Sequence, residues 1–377
     1  VERIPVPDAP VGAYDPTSTC CEPTCGYDWT VVYEQNQDIA QMAREIVINK
    51  SQSLLLLGAP GTGKSTLVKS LVAELRESGQ NVRTTALTHV ASKVIEGQTI
   101  QSFLYRHVLH GSFSGWLVVD EVSNLTISVL NYISVLLRAS GMRFILLGDF
   151  FQLPPVMDVF CSKEIVRNGF EHSRLLWELC DGNMIHLTKC RRSTGTHLFH
   201  FVTGLYKNGH LGQLPLHEQV MLARRVFPLQ KGHARWNLVI SHAKRKIINK
   251  LCYDSLVTGE RMAVRLSDEL VNEVFLGCAL IGCTTDRRVT NGCFYVVSNF
   301  DAISVTIRDL ESDQIVVVPV EHMRTLRLGW SCTLASIQGR TLRERTRIWD
   351  TDHRNFTTRH LAMAIGRVTR PEDLDIA

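Results

Sequence analysis

The chain has 377 residues, 45% hydrophobic and 21% charged, which is room for two or three domains of roughly 100–200 residues and excludes disorder as the main state. Its 41 basic and 37 acidic residues leave a net charge of +4, too mild to argue a polyanionic partner, so nucleic acid must be read from particular residues. No apolar run nears the ~20 residues of a membrane span, the first residues lack the apolar stretch of a secretory signal, and a start at Val1 reads as an excerpt of a longer protein.

Residues 1–29 hold five of the twelve prolines and little periodicity, and they are expected to form an extended leader. The tight cluster Cys20, Cys21 and Cys25 lies there. With no second pair nearby it reads as part of a turn-rich segment before it reads as a zinc site. The eleven cysteines are odd in number and scattered through apolar segments, as at Cys180, Cys252, Cys278 and Cys332. That fits free thiols in a reducing, intracellular setting.

From residue 30 the texture alternates between strands and helices. Residues 53–57 read as a buried strand, and 65–77 as a helix with Leu67, Val68, Leu71, Val72 and Leu75 on one face. Further strands are expected at 81–87, 116–119 and 144–147. This alternation predicts a parallel sheet covered on both faces, an α/β fold, over 30–182. A second unit of the same kind is expected from 183–261 and 327–377, with a strand near 238–241 and a basic helix near 243–257. Between them, 262–326 alternates residue by residue (Ile303, Val305 and Ile307 against Ser304, Thr306 and Arg308) and reads as a small β-rich insertion.

Gly58-Ala59-Pro60-Gly61-Thr62-Gly63-Lys64-Ser65 matches the P-loop pattern in full, with a strand before it and a helix after it. Glycines let backbone N–H groups curl around phosphates, and a helix N-terminus adds a positive dipole. Lys64 is expected on the β- and γ-phosphates and the Ser65 hydroxyl on Mg2+, with Thr66 beside it. ATP with Mg2+ is the expected cofactor pair. Asp120, closing the apolar run before Glu121, is expected beside this loop as the second metal-side ligand, with Glu121 polarising the attacking water. Gly148-Asp149-Phe150-Phe151-Gln152-Leu153-Pro154-Pro155-Val156 also follows a buried strand, which would set Gln152 at the same edge, within reach of the γ-phosphate.

The P-loop, the Asp120-Glu121 pair and the 148–156 run together resemble the superfamily 1 helicases, and within them the superfamily 1B branch of petite-integration-frequency and RecD-like DNA helicases. The resemblance spans about residues 30–377. It implies two RecA-like P-loop motor domains with parallel sheets, and the β-rich insertion is similar to the SH3-like accessory domain of that branch. In the segment Val31-Val32-Tyr33-Glu34-Gln35, the resemblance implies that Gln35 reads the adenine, with Gln37 as the alternative register. Leu187-Thr188-Lys189-Cys190-Arg191-Arg192 is similar to a segment whose Arg reaches the γ-phosphate from the second domain. That role is assigned to Arg191, and Arg367 in Ala364-Ile365-Gly366-Arg367 is its second counterpart. Gln338 and Gly339 match the motif that couples nucleotide to strand, although Ala335, Ser336 and Ile337 depart from it.

For the strand itself, the resemblance implies contacts from Thr88, Thr99, Gln101, Phe103, Ser331 and Thr333. Gln101 stands where the family has His. A minimal duplex-splitting wedge is expected at 104–115. The function so implied is an ATP-dependent DNA helicase that translocates on single-stranded DNA, 5′-to-3′, in genome replication or repair. Its partners would be single strands, duplex junctions and replication proteins such as a primase, at intracellular sites of DNA replication. A viral-type superfamily 1 RNA helicase and a P-loop switch or assembly ATPase that does not unwind remain as alternatives. The compact motifs also leave a virus-encoded source open.

Overall fold

The computed structural model describes residues 27–377 other than 35–37, 88–91, 93–94, 110–112, 156–157, 161–162, 165–169, 192–195, 207–208, 268 and 287. The leader with its three clustered cysteines, Gln35, Gln37, Thr88 and Arg192 therefore lie outside the described residues. The chain divides into two compact units, with the change between Arg192 and Ser193.

The first unit is built on a sheet of seven described strands, in the order β1-β9-β2-β6-β5-β3-β4. These are β1 (Thr30–Tyr33), β2 (Leu54–Gly58), β3 (Val82–Ala86), β4 (Gln98–Thr99), β5 (Trp116–Asp120), β6 (Arg143–Gly148) and β9 (Asn183–Leu187). Every pairing in it is parallel. A two-stranded hairpin of β7 (Val159–Phe160) and β8 (Lys163–Glu164) stands apart from it.

Alternation along the strands sorts the side chains into two cores. Leu54 and Leu56, Trp116 and Val118, and Ile145 and Leu147 pack with Val68, Leu71, Val72 and Leu75 of helix Lys64–Glu77. Leu55 and Leu57, Leu117 and Val119, and Phe144 and Leu146 pack on the other face with Ile127, Leu130 and Ile133 of helix Ile127–Ser140. Both faces are therefore buried, which is why these strands read as continuous apolar runs. Each fully buried Leu or Ile contributes about 1.5–3 kcal/mol over its exposed state.

The expected boundary after residue 182 moves. Segment 183–187 is not the start of the second unit: it forms β9 and lies between β1 and β2 in the first sheet. Its apolar residues Met184 and Ile185 are fully buried, and only pairing, not texture, tells which sheet takes them.

The second unit holds a parallel sheet in the order β18-β10-β19-β20. Its strands are β10 (Trp236–Val239), β18 (Ser331–Thr333), β19 (Thr346–Ile348) and β20 (Leu374–Ile376). The basic helix runs over His242–Leu256, capped by the Ser241 hydroxyl, which accepts from the Lys244 N–H.

Between these lie a short antiparallel pair, β11 (Arg261–Ala263) with β12 (Glu273–Phe275), and an antiparallel sheet in the order β16-β15-β14-β13-β17. The latter consists of β13 (Ala279–Gly282), β14 (Phe294–Phe300), β15 (Ser304–Asp309), β16 (Ile315–Pro319) and β17 (Leu326–Leu328). The Asn291-Gly292 turn leads into β14: Gly292 has φ +81°, and the Cys293 N–H donates back to the Thr290 carbonyl at 3.1 Å. This sheet does not have a core to itself. Val239 of β10 and Ile248 and Cys252 of the basic helix share one apolar cluster with Leu280, Val297, Val305 and Ile307.

Candidate active site

Parallel pairing brings four chain-distant segments to one edge of the first sheet. Gly58 ends β2 in register with Leu187 of β9, Leu57 pairs with Gly148 at the end of β6, and β5 ends on Asp120. In open α/β sheets this carboxyl edge is where ligands bind.

The loop between β2 and helix Lys64–Glu77 is folded onto itself. The Thr62 hydroxyl donates to the Ala59 carbonyl at 2.8 Å and is fully buried. Lys64 Nζ donates to the Gly58 and Ala59 carbonyls at 2.6 and 3.3 Å, seating the ammonium inside the curl. Gly63 has φ +88° and opens the helix with no side chain capping its first N–H groups. A Cβ on Gly63 would stand 2.7 Å from Arg191 Cδ, and one on Gly58 would stand 2.7 Å from Thr62 Oγ1. The cradle is thus built of backbone at positions where a side chain does not fit. Such a curl, with an uncapped helix start, is suited to phosphate oxygens.

At the end of β5 the chain turns sharply. Glu121 has φ +55°, an uncommon conformation for a residue with a Cβ, and its N–H donates to Asp120 Oδ1 at 2.8 Å. Asn124 Nδ2 reaches Glu121 Oε2 at 3.4 Å. The end of β6 packs tightly on this turn: a Cβ on Gly148 would meet Val122 Cγ1 at 2.9 Å. Asp149 then organises the run that follows, accepting from the Phe151 N–H at 3.0 Å and from Gln152 Nε2 at 3.4 Å. Gln152 is buried, so it is held on Asp149.

The donor set for a metal is one hydroxyl, Ser65, and one carboxylate, Asp120. Among the described residues there is no group of three or more His, Cys, Asp or Glu that would cage an ion. That sparse set fits Mg2+, which takes one or two carboxylates and completes its shell with substrate phosphates and water.

Arg191 departs from expectation. It was expected to come from the second domain, but it belongs to the first unit. β9 pairs directly with β2, so the chain leaving β9 runs over the P-loop, and the Arg191 N–H donates to the Gly61 carbonyl at 2.9 Å. Its guanidinium is hydrogen-bonded and ion-paired with Glu34.

Sequence reading missed Glu34. This buried carboxylate accepts from the N–H groups of Thr188 and Lys189 at 2.8 and 2.9 Å as well as from Arg191. Burial by itself raises the Glu34 carboxyl, but the Lys189 and Thr188 N–H groups and the Arg191 guanidinium outweigh it and hold it below the usual carboxylate range. The one signal available was a Glu placed directly before Gln35.

Comparison with known proteins follows this geometry. A sequence profile described as an AAA domain matches residues 33–175. The chain is 33% identical over 159 residues to ATP-dependent DNA helicase PIF7 of Trypanosoma brucei brucei, covering 34% of this chain and 15% of that protein. It is 31% identical over 169 residues to human ATP-dependent DNA helicase PIF1, covering 38% of this chain and 25% of that one. The chain thus matches a quarter or less of the length of these relatives. In fold it superposes on Pif1 helicase from Bacteroides in complex with ADP-AlF3 and single-stranded DNA. That match has a TM-score of 0.65 at 18% identity and covers 90% of this chain and 92% of that one. Pif1 helicase from Candida albicans gives a TM-score of 0.64 at 18% identity, over 90% and 94%. The chain thus shares its fold with these Pif1 helicases.

The second unit carries Arg367, Gln338 and Gly339. Arg367 ends helix Thr358–Arg367 and is buried, and its carbonyl accepts the Leu342 N–H at 2.7 Å. Gln338 and Gly339 lie in the turn after β18, Gly339 with φ +75°.

Several expected strand contacts are internal. Phe103 is fully buried in the first unit's core, edge-on to Phe113 at 5.4 Å, so it offers no ring face to a base. Phe113 itself, in the expected wedge, is part of that core. Ser331 is also fully buried, its hydroxyl donating to the Asn237 carbonyl at 3.1 Å and its N–H to Asn249 Oδ1 at 2.8 Å. The Thr99 hydroxyl caps the helix Ile100–Leu104, accepting from the Ser102 N–H. Thr333 is buried, and its carbonyl accepts from the Ser336 hydroxyl at 2.7 Å. Gln101 alone of the described set is exposed.

Proposed function

We propose that this chain is the motor of an ATP-dependent DNA helicase that moves along single-stranded DNA, 5′-to-3′, in genome replication or repair. One observation carries it: the P-loop, Asp120-Glu121, Gln152 and Arg191 all stand at one carboxyl edge of a single parallel sheet. The Pif1 helicases it resembles are named as ATP-dependent DNA helicases, and one of them is recorded with ADP-AlF3 and single-stranded DNA.

In this proposal the backbone of Gly58, Pro60, Gly61, Thr62 and Gly63 cradles the phosphates. Lys64 leaves the loop carbonyls for the β- and γ-phosphates, and Thr66 follows on the first helical turn. Ser65 and Asp120 hold Mg2+, which when bound neutralises charge on the phosphate oxygens. Glu121 takes the proton of the attacking water, and Gln152, steadied by Asp149, senses the γ-phosphate. Arg191 supplies a guanidinium from the same wall as the P-loop, and Arg367 is the one assigned from the second unit; arginines in this role are worth about 10³–10⁵ in rate. Gln35 is assigned to the adenine, and Gln338 and Gly339 to linking nucleotide state to the strand. Gripping falls to Thr88 and Gln101 through phosphate contacts that carry no sequence readout, since Phe103 and Ser331 are interior. Replication proteins, a primase among them, are the partner class this role implies, at intracellular sites of DNA replication. The cellular relatives lend no support to a viral source.

ATP turnover measured with and without single-stranded DNA and RNA tests the proposal. DNA-stimulated turnover is expected. Stimulation by RNA alone would move the chain to the RNA helicases, and turnover indifferent to both would make it a switch.

A further inference from the structure

We infer that Arg340 is a positioning residue that ties the turn Gln338-Gly339, and through it the Arg367 end of the last helix, to the small antiparallel sheet of the second unit. The inference rests on the motor function proposed above, and it concerns how strand engagement reaches the nucleotide-side residues.

Arg340 directly follows Gly339 and is 6% exposed. Its guanidinium has three partners, all in or beside the antiparallel sheet. Nη1 donates to Glu311 Oε1 at 2.7 Å, in the turn between β15 and β16. Nη2 donates to the carbonyl of Gly292, in the turn that enters β14. The guanidinium carbon also lies 4.3 Å from the centre of the Phe294 ring, at the start of β14. That ring in turn packs edge-on against Trp236 of β10, centres 4.5 Å apart. One planar cation therefore joins two turns and a ring face of the antiparallel sheet, and through that ring meets β10 of the parallel sheet.

At the other side of the same turn, the Leu342 N–H donates to the Arg367 carbonyl at 2.7 Å, and Leu342 forms a parallel bridge with Val368. Residues 340–342 are held at both ends, by the antiparallel sheet through Arg340 and by the helix bearing Arg367 through Leu342. In this inference a shift of the sheet passes along this short segment to the Arg367 backbone, and Gln338 and Gly339, which lead directly into Arg340, follow it. A planar fork that bonds two acceptors while stacking on a ring is a task for Arg that Lys does not perform.

The test is steady-state ATP turnover with and without oligo(dT) on the whole chain. The wild type is expected to be stimulated. Arg340→Ala is expected to lose roughly tenfold in stimulated turnover while unstimulated turnover stays within about twofold, and Arg340→Lys to fall between. Equal stimulation in Arg340→Ala and wild type, or equal loss of stimulated and unstimulated turnover, overturns the inference and leaves the motor function standing. A wild type indifferent to oligo(dT) overturns the motor function and this inference with it. If thermal melting shows that Arg340→Ala does not fold, Glu311→Gln, which weakens one leg only, carries the same comparison with a smaller expected loss.

Discussion

Glu34 is the least obvious residue of the nucleotide wall, and removing its carboxylate is predicted to loosen that wall more than removing its cationic partner. The carboxylate accepts two backbone N–H bonds, from Thr188 and Lys189 at 2.8 and 2.9 Å. Hydrogen bonds to a charged acceptor are worth about 1.5–3 kcal/mol each, and the low end applies because Thr188 and Lys189 are exposed to water. Glu34→Ala should therefore cost about 3 kcal/mol against local opening of the β9 end. The Arg191 side chain is 57% exposed, so water screens its pairing, and Arg191→Ala should cost about 1 kcal/mol or less. Hydrogen exchange of the peptide spanning 183–191 reads both. Glu34→Ala should speed exchange of the Thr188 and Lys189 amides by about 10²–10³-fold, and Arg191→Ala by less than tenfold. Equal acceleration in the two variants, or none in Glu34→Ala, would refute the assignment of the hold to the backbone bonds.

Lys64→Ala should abolish ATP turnover while circular dichroism stays at wild type, because among the described residues its ammonium is bonded to carbonyls of its own loop; residual turnover near wild type would remove Lys64 from the chemistry. Phe103→Ala should lower stability by about 3–5 kcal/mol through the cavity it leaves, yet leave the affinity for oligo(dT) of the folded protein unchanged, read by melting and by fluorescence anisotropy. Burial, helped by His172, lowers His186 to about 4, and burial, helped by His353, does the same for His360. An unfolded His near 6.5 binds its proton before either folded one does, so stability should fall as pH drops from about 6.5 to 4, by up to about 3 kcal/mol for His186 and by less for His360, whose charge water screens. Urea titrations across that range check the slope, and a flat profile would contradict it.

How much was legible in the sequence depended on whether chemistry or pairing fixes a residue. The P-loop could be read because phosphate binding demands those residue types at that spacing, and the buried strands because Leu54 to Leu57 are apolar on both faces. Asp120 followed from its place at a strand end. By contrast, Met184 and Ile185 would suit a buried strand of either unit, and only hydrogen bonding to β2 gives β9 to the first. That one strand also moved Arg191 from the second domain to the P-loop side. Glu34 was hidden because its partners lie more than 150 residues away. Phe103 and Ser331 were misread because a motif position tells which residue is kept there, not which way its side chain faces. Arg340, next to a matched Gln-Gly pair, carried no pattern signal: its three partners sit in the turns and strand start of another sheet.

The most direct test of a strand-tracking ATPase is displacement of a labelled oligonucleotide from duplexes that carry a single-stranded tail on either the 5′ or the 3′ side, with ATP present. ATP-dependent release from the 5′-tailed DNA, lost in Lys64→Ala and absent with the 3′ tail, is the predicted outcome. Wild-type protein that hydrolyses ATP on the same DNA yet frees neither strand would contradict it.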